Sequence, residues 1–424
     1  MTKEELLQMY FFIENISGAI NTVSITKNNA SAPTLNLEYS YNQSEWISVT
    51  MNEDTTPNNI EIPVDGKLYL RGVNNSWCSS SSNNYYNTIT ATGNHNVGGN
   101  IMSLLYGSEF DGKTSFPTTN NYVLKSLFSG YTTLVNAQDL ILPATTLTSG
   151  CYSNMFSNCS SLTTAPALPA TTLANSCYYQ MFSGCKALTT TPALPATTLT
   201  DWCYRDMFQG CSSLTSCDYV IKEGTTFASN CYNNMYGNTG LIPEYVKQID
   251  FTDEATIQSG VCIGLFSNTP VTDEYLRTVL PINEETGNIY LPVMNLANNC
   301  YERMFSVCSS LTTAPELPAT TLASGCYNSM FTNSNKLTTA PELPATTLAT
   351  QCYGNMFYGC RKLNYIKADF IEYSNNNNEF TSWVSNVSTT GTFVMNPNAT
   401  YNVDEIRGTS GIPTNWTVTT STES

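Results

Sequence analysis

The sequence predicts a curved leucine-rich-repeat solenoid, built from short strands and helical turns, with a β-sandwich-like domain before it and a cap after it. Three observations support this fold class. A 26-residue unit recurs through the middle of the chain, and periods of this length are typical of stacked repeats. Each unit carries apolar residues at helix-like spacing before a proline-bounded extended segment. Short alternating segments precede the units and indicate a small β-sandwich.

The N-terminal segments show the alternation of apolar and polar residues that is typical of strands. Leu35, Leu37, Tyr39 and Tyr41 alternate with polar residues, which predicts a half-buried strand, and 46–49 is interpreted as its partner. The apolar positions of 60–64 and 68–70 flank Asp65-Gly66, which is typical of a hairpin. Residues 76–100 are rich in Ser, Asn and Gly and are interpreted as an exposed loop. We expect this domain to cover the open end of the repeats, because an end copy exposes unpaired backbone.

The repeat is clearest from Cys151, where it reads CYSNMFSNCSSLTTAPALPATTLANS. No copy can bury its apolar face alone, so the copies must stack. We therefore assign residues 1–110 to the N-terminal domain, 111–365 to the repeat array and 366–424 to a C-terminal cap and tail. Nine copies share one register, beginning at Val123, Cys151, Cys177, Cys203, Cys231, Val261, Cys300, Cys326 and Cys352.

Within one copy the apolar positions favour a helix. Counted from Leu147, they lie at offsets 0, 4, 5, 8, 9 and 12. Leu162 then begins an extended segment in which Pro166 and Pro169 cannot donate hydrogen bonds, so only about three residues can pair as a strand. Packed helices lie about 8–10 Å apart and paired strands about 4.8 Å. This difference predicts curvature with the strands on the inside.

The repeat resembles the BspA-like leucine-rich repeat, in the variant that carries LPATTL and CYxxMFxGC. The resemblance covers roughly residues 120–365, and Trp383, GTFV at 391–394 and GIPTNWTV at 411–418 resemble the usual end of such arrays. It implies binding or display and no catalytic residue. Members of the family are bacterial surface proteins and proteins encoded by phages of gut bacteria, including crAss-like ones. We identify no signal peptide and no apolar stretch of membrane-spanning length, which favours the phage setting.

The composition narrows the classes of partner. The 424 residues include 17 basic and 33 acidic ones, for a net charge of −16, which disfavours a nucleic-acid partner. The one histidine, His95, excludes a multi-histidine metal site and is interpreted as a plain loop residue. The acidic pairs at 253–254 and 284–285 lack the spacing of a calcium loop and are expected to be solvated. We assign no catalytic, cofactor-binding or metal-binding residue, and the ligand-binding residues stay open.

The side chains that recur in every copy are expected to form the core. The 15 cysteines are interpreted as buried, reduced and stacked thiols, with disulfides between neighbouring copies and a metal site as the alternatives. The Met-Phe pairs are assigned to the core as well. The tyrosine that follows the first cysteine is expected to be buried with its hydroxyl reaching a partner or solvent. These residues are Met155-Phe156, Met181-Phe182, Met207-Phe208 and Tyr152, Tyr178, Tyr204, Tyr301, Tyr327 and Tyr353.

The positions that face solvent are the candidates for binding. The two positions that directly follow each Cys-Tyr pair vary from copy to copy, and we expect these side chains on the outer face of the helix. The extended segments instead repeat a threonine pair, which either forms a regular hydroxyl surface for a repetitive ligand or simply favours strands. Aromatic residues of the N-terminal part, such as Trp46 and Trp77, either stack on sugars or belong to the core. The threonine pairs are Thr163-Thr164, Thr189-Thr190, Thr312-Thr313 and Thr338-Thr339.

These features predict a non-enzymatic structural or adhesion protein of a phage particle, such as a fibre or appendage. The N-terminal domain would attach to other virion proteins, and the repeats would bind a glycan or protein of the host surface. A homo-oligomer, dimer or trimer, is compatible with this role. The alternative is a bacterial cell-surface adhesin that binds glycan or matrix protein. A third hypothesis, a polysaccharide depolymerase, needs a carboxylate pair that the regular copies almost lack.

Overall fold

The computed structural model of the protein describes residues 2–79, 84–118, 120–217, 226, 228–239, 262–373, 376 and 378–421. They form two compact units, which we call unit 1 (1–225 and 239–241) and unit 2 (226–238 and 242–424). The predicted helical leucine-rich-repeat solenoid is wrong. The fold is mostly β-sheet, and the described residues contain three short α-helices, none of which coincides with a Cys-Tyr segment of the repeat. The repeats are instead built from consecutive tight turns.

Unit 1 begins with a short helix and two antiparallel sheets. The helix is α1 (Lys3–Leu7), which starts at a capping box formed by Thr2 and Glu5. The strands are β1 (Phe11–Asn15), β2 (Asn21–Lys27), β3 (Leu37–Ser40), β4 (Ile47–Val49), β5 (Asn58–Ile62), β6 (Lys67–Arg71), β7 (Asn87–Ala91) and β8 (His95–Asn100). A larger sheet has the order β4-β3-β6-β1-β8, and a smaller one has the order β5-β2-β7.

The structure confirms one predicted strand pair and corrects two other predictions. Strands β3 and β4 pair antiparallel, with Tyr39 opposite Ile47. The hairpin through Asp65-Gly66 is wrong, because β5 pairs with β2 whereas β6 pairs with β1 and β3. The turn therefore carries the chain from one sheet to the other. The exposed loop at 76–100 is also wrong, since it contains β7 and β8 and buries Trp77 completely.

The larger sheet of unit 1 continues into the repeats. After α2 (Ser103–Tyr106) and a 3-10 turn (Gly107–Glu109), the chain forms β9 (Leu134–Ile141), which pairs parallel to β8. The next strand-like segments pair only briefly, through a bridge between Asn136 and Thr164 and through the two-residue strands β10 (Thr190–Thr191) and β11 (Ser216–Cys217). This agrees with the short pairing that the prolines predict.

Hydrogen bonds explain why the Cys-Tyr segments form turns and not helices. From Tyr152 to Ser157 the backbone N–H groups alternate between two kinds of acceptor. Met155 N donates to the Tyr152 carbonyl three residues earlier at 3.2 Å, as in a tight turn. Phe156 N donates to the Met181 carbonyl of the next copy at 2.8 Å. Half of the donors are therefore committed to the neighbouring copy, which a helix does not allow.

Left-handed residues recur at every fourth position of these turns. In the copy from Cys151 they are Gly150, Asn154 and Asn158, with φ of 62°, 56° and 61°. Such φ values suit Gly and Asn and interrupt a right-handed helix. One of the two variable positions after each Cys-Tyr pair is such a turn position, so the predicted outer helical face does not exist.

The aromatic side chains stack from copy to copy. In unit 1 the Tyr152 and Tyr178 rings lie 6.0 Å apart and almost parallel, and the Phe156 and Phe182 rings lie 5.4 Å apart. In unit 2 the Tyr301 and Tyr327 rings are 6.1 Å apart. These distances are well below the roughly 8–10 Å between packed helices, so the helices on which the predicted curvature depended are absent.

A column of buried donors links neighbouring copies at the eighth residue after the first cysteine. Each thiol or hydroxyl donates to the carbonyl of the phenylalanine in the preceding copy, as Cys185 Sγ does to Phe156 O at 3.1 Å. Ser334 replaces the cysteine in one copy and donates in the same way, at 2.8 Å. We call this set the donor column; it comprises Cys159, Cys185, Cys211, Cys308, Ser334 and Cys360.

The interpretation of the cysteines as buried reduced thiols is confirmed for the eleven that are named below. Burial raises the pKa of the Cys185 thiol well above its usual value and that of Cys211 to about 12. A thiol with such a pKa stays protonated at neutral pH and can donate a hydrogen bond. Cysteines that are buried and form no disulfide are Cys151, Cys159, Cys177, Cys185, Cys211, Cys262, Cys300, Cys308, Cys326, Cys352 and Cys360.

Unit 2 repeats this construction and ends in a parallel sheet. Its helix is α3 (Asp273–Val279), and its strands are β12 (Tyr365–Ala368), β13 (Thr392–Met395) and β14 (Thr417–Thr420), in that order. Residues 378–386 add a turn segment that the repeat pattern did not reveal. There Trp383 takes the place of the methionine, because its carbonyl accepts from Phe357 N at 2.8 Å.

Candidate ligand-binding groove

The candidate site is an open groove on the extended segments of unit 2, with a volume of about 590 Å³. The copies that begin at Cys300 and Cys326 supply most of its wall through their TTAPELP segments. Hydroxyl, proline and carboxylate groups dominate this wall. The side chains that matter most are Thr312, Thr313, Glu316, Thr338, Thr339 and Glu342.

The local sequence explains why these polar side chains face outward. Leu311 and Leu317 are buried in the unit, and Ala314 between them is nearly so. Thr312 and Thr313 lie on the exposed side of the same segment. The prolines limit backbone pairing, so the segment presents side chains and not a ladder edge. The same alternation recurs 26 residues later, which sets the two threonine pairs side by side on one wall.

Glu316 is fixed at one side of the groove by its backbone and by two amides. Its backbone forms a parallel bridge with Tyr290. Its carboxylate oxygens accept hydrogen bonds from Asn288 Nδ2 at 2.9 Å and Asn283 Nδ2 at 2.8 Å. Burial alone would raise the pKa of Glu316, but hydrogen bonds from Asn288, Thr286 and Asn283 outweigh it and lower that pKa. Glu316 is therefore an ionised, oriented acceptor at neutral pH.

Glu342 is the equivalent residue of the next copy and is far more exposed. Both of its carboxylate oxygens lie 3.0 Å from Lys367 Nζ. This hydrogen bond is the main reason that the pKa of Lys367 is raised. An exposed ion pair of this kind contributes little to stability, about 0–1 kcal/mol. Glu342 can therefore exchange its partner for a ligand at small cost.

Thr312 is positioned by the first turn of α3. The Asp273 carboxylate accepts from the Thr312 backbone N–H at 2.8 Å and also from its hydroxyl. Burial would raise the pKa of Asp273, but the hydrogen bonds from Thr312 and Thr313 outweigh it and the pKa is lowered. The threonine pair is thus held against a charged group of a different element.

This arrangement is suited to holding a ligand. Its carboxylates and hydroxyls accept and donate hydrogen bonds to a hydroxyl-rich or cationic molecule. Acid catalysis of glycoside cleavage requires a carboxyl group whose pKa is raised. The pKa of Glu316 is shifted in the opposite direction, so its chemistry favours binding over proton donation.

Unit 1 has the same threonine rows without the carboxylates. Thr163, Thr189 and Thr190 are exposed there, as a hydroxyl surface requires. Where unit 2 has Glu316 and Glu342, the corresponding positions of unit 1 are Ala167 and Ala193. The contrast between APALP and APELP is the sequence signal for the groove, and it is lost when the copies are taken as identical units.

The predicted core residues are buried as expected, with one difference. Met155, Phe156 and their counterparts are fully buried. The hydroxyls of Tyr152 and Tyr301 are also buried but have no hydrogen-bond partner among the described residues, so the expectation of a partner or solvent is wrong for these two. Their rings stack on the tyrosine ring of the next copy.

His95 is not a loop residue. It lies at the start of β8, fully buried, with Nδ1 2.9 Å from the Gly93 carbonyl oxygen and with its ring 6.0 Å from that of Tyr131. Its Nε2 has no partner among the described residues. Burial lowers the pKa of His95, although the Gly93 hydrogen bond opposes this shift. It therefore packs as a neutral core residue.

Of the two acidic pairs singled out in the sequence, the one at 284–285 does not line the groove. Glu284 and Glu285 are exposed in the turn that follows α3, as expected, whereas the pair at 253–254 lies outside the described residues. No group of three or more His, Cys, Asp or Glu side chains that could hold a metal ion occurs in the part of the chain that the structure describes. No helix among these residues is long and apolar enough to cross a membrane.

Comparisons of the chain with protein-family profiles, with curated proteins and with solved structures found no match. The groove is therefore interpreted from its own residues.

Proposed function

We propose that this chain is a non-enzymatic structural and adhesion protein that displays its repeats to bind a glycan or protein on a host surface. The observation that carries the proposal is the groove of unit 2, where threonine hydroxyls and an oriented, ionised Glu316 face solvent. The proposed setting is a phage particle, to which the protein attaches through residues 1–110. This setting rests on the resemblance of the repeat motifs to the BspA-like repeat.

A cell-binding experiment tests the role of the groove. Fluorescently labelled protein is added to intact cells of gut bacteria, and bound protein is measured by flow cytometry. The double variant Glu316→Ala/Glu342→Ala gives unit 2 the residues that unit 1 already carries, so it should keep the fold and bind at least about tenfold more weakly. The control variant Glu284→Ala/Glu285→Ala removes the same charge from exposed positions outside the groove. Equal binding by the two variants would contradict the assignment.

Electron microscopy tests the setting. A gold-labelled antibody against residues 1–110 is applied to purified phage particles and to intact uninfected cells. Label at fixed positions on particles and none on uninfected cells is the expected result. Label spread over uninfected cells would overturn the virion assignment and favour a bacterial surface adhesin.

A further inference from the structure

We propose that a second site, on the turn face of unit 1, binds a neutral pyranose sugar. We call it the Trp202 patch; it consists of Tyr179, Trp202, Arg205 and Asp206. The patch lies on two neighbouring copies, those beginning at Cys177 and Cys203. It shares no residue with the groove of unit 2, so it extends the proposed function to a different site.

Trp202 is an exposed aromatic residue at a turn position that most other copies fill with a small or polar side chain. Trp202 has φ of 61°, a conformation that is strained for a bulky residue. The same turn position is held by Gly150, Ser176, Asn230, Asn299, Gly325 and Gln351 and, in the first copy, by the partly buried Tyr122 at φ of 61°. Small or polar residues therefore satisfy the turn in most copies, so the turn itself does not require the tryptophan.

The indole ring is not used for packing the core. The Trp202 side chain is 43% exposed, whereas the tyrosine one residue beyond its cysteine, Tyr204, is buried. Strained backbone together with an exposed aromatic ring is the combination expected of a binding residue. A flat indole face can cover the C–H face of a pyranose, which removes apolar surface of both from water.

Arg205 supplies polar groups next to this ring. Its guanidinium carbon lies 4.8 Å from the Trp202 ring centre and 5.8 Å from that of Tyr179. Its Nε is 3.3 Å from Asp206 Oδ2, which is itself buried. The two terminal nitrogens make no hydrogen bond to the described residues. They can therefore donate to ligand hydroxyls while Asp206 neutralises the charge.

The surroundings favour a sugar over a protein partner. Among the described residues of the unit 1 repeats, from 120 to 217, Trp202 is the one large apolar residue that is substantially exposed. A protein interface needs a desolvated centre within about 800 Å² per partner, and the positions around the ring are polar. One or two rings beside an arginine fork suffice for a single saccharide unit, and the neutral Arg205–Asp206 pair favours an uncharged one.

The test combines binding with thermal stability. The wild-type protein and the Trp202→Asn variant are titrated with maltoheptaose, cellohexaose and mannohexaose, and tryptophan fluorescence and calorimetry are recorded. At least one of these neutral oligosaccharides should bind the wild type and change its fluorescence, and the variant should bind about tenfold more weakly. Because Asn accepts the left-handed turn, the variant should melt about 2–4 °C higher. The control Gln351→Asn, at the equivalent turn position, should leave binding unchanged.

Several results would overturn the proposal. One is the absence of binding by all three oligosaccharides, and another is equal binding by Trp202→Asn. A lower melting temperature of the variant would show that the ring stabilises the fold. Binding of hexagalacturonate in place of the neutral sugars would contradict the neutral ligand, and capture of a peptide through Trp202 in their place would assign the patch to a protein partner. None of these results affects the cell-binding test of Glu316 and Glu342.

Discussion

The donor column offers the sharpest test of how neighbouring copies are joined. Cys360 Sγ donates to Phe331 O at 2.9 Å, and Ser334 Oγ donates to Phe305 O at 2.8 Å one copy earlier. The two residues do the same task in the same unit with different atoms. If hydrogen-bond donation is what the position requires, Cys360→Ser should be tolerated and Cys360→Ala should not.

The size of the effect follows from what alanine removes. A buried hydrogen bond contributes about 0.5–1.5 kcal/mol net, and the Phe331 carbonyl keeps a second donor in Ser334 N at 3.0 Å. Loss of the sulfur also leaves a methyl-sized cavity at a fully buried position, at about 1 kcal/mol. We expect Cys360→Ala to lower the free energy of unfolding by about 1.5–2.5 kcal/mol and Cys360→Ser by less than about 1 kcal/mol.

Urea unfolding measures these differences through the buried Trp383 of unit 2. The transition midpoint is compared among variants at constant slope, because a changed slope would signal a changed unfolded state. The reciprocal variants Ser334→Ala and Ser334→Cys serve as the matched pair, and only the first should be destabilising by about 1 kcal/mol. If Cys360→Ser destabilised as much as Cys360→Ala, sulfur packing and not donation would explain the column.

Three further predictions concern the turns, the thiols and the histidine. Val307 is β-branched at φ of 60°, so Val307→Asn should stabilise unit 2 by about 1 kcal/mol, and Asn333→Val at the equivalent position should do the reverse in the same urea assay. A maleimide should leave Cys211 unlabelled in the native protein and label it in urea, because burial raises its pKa to about 12. Labelling of Cys211 in the native protein, detected by mass spectrometry, would refute this. Burial lowers the pKa of His95 in the folded state. As the pH falls, the unfolded chain therefore binds a proton at His95 first, near the ordinary histidine pKa of about 6.5. The stability of unit 1 should therefore decrease as the pH falls below about 6.5, by at most about 1.4 kcal/mol per pH unit. The variant His95→Gln should abolish this part of the pH dependence.

The sequence predicted which residues form the core and missed how the backbone carries them. Columns such as Met155 and Phe156 are buried in every regular copy that the structure describes. Their offsets from Leu147, however, repeat every four residues. On a helix of 3.6 residues per turn, offset 12 lies about 120° away from offset 0. The period of four, with Gly or Asn recurring at the same interval as Asn154 and Asn158, already indicated consecutive turns.

The N-terminal domain shows a different limit of sequence reasoning. Local patterns predicted that strands begin near Leu37, Ile47 and Ile60, and strands are present there. The pattern around Asp65-Gly66 identified a turn but could not identify which strands it joins into a sheet. That choice depends on contacts with β1 and β2, which are remote in sequence. The environment of His95 likewise depends on β9, whose Leu134 pairs with it from 39 residues later in the chain.

Function must be sought where the copies differ on their exposed side. Backbone hydrogen bonds between copies, ring stacking and the donor column constrain the inward positions so tightly that a change there is a change in stability. The outward positions escape this constraint, because neither the turn nor the bridge requires their side chains. Glu316 replaces an alanine of the other unit, and Trp202 replaces the small or polar residue that most other copies carry at a strained backbone position. The two proposed binding sites rest on these exceptions, and each exception can be replaced by the residue of a sister copy to test its role.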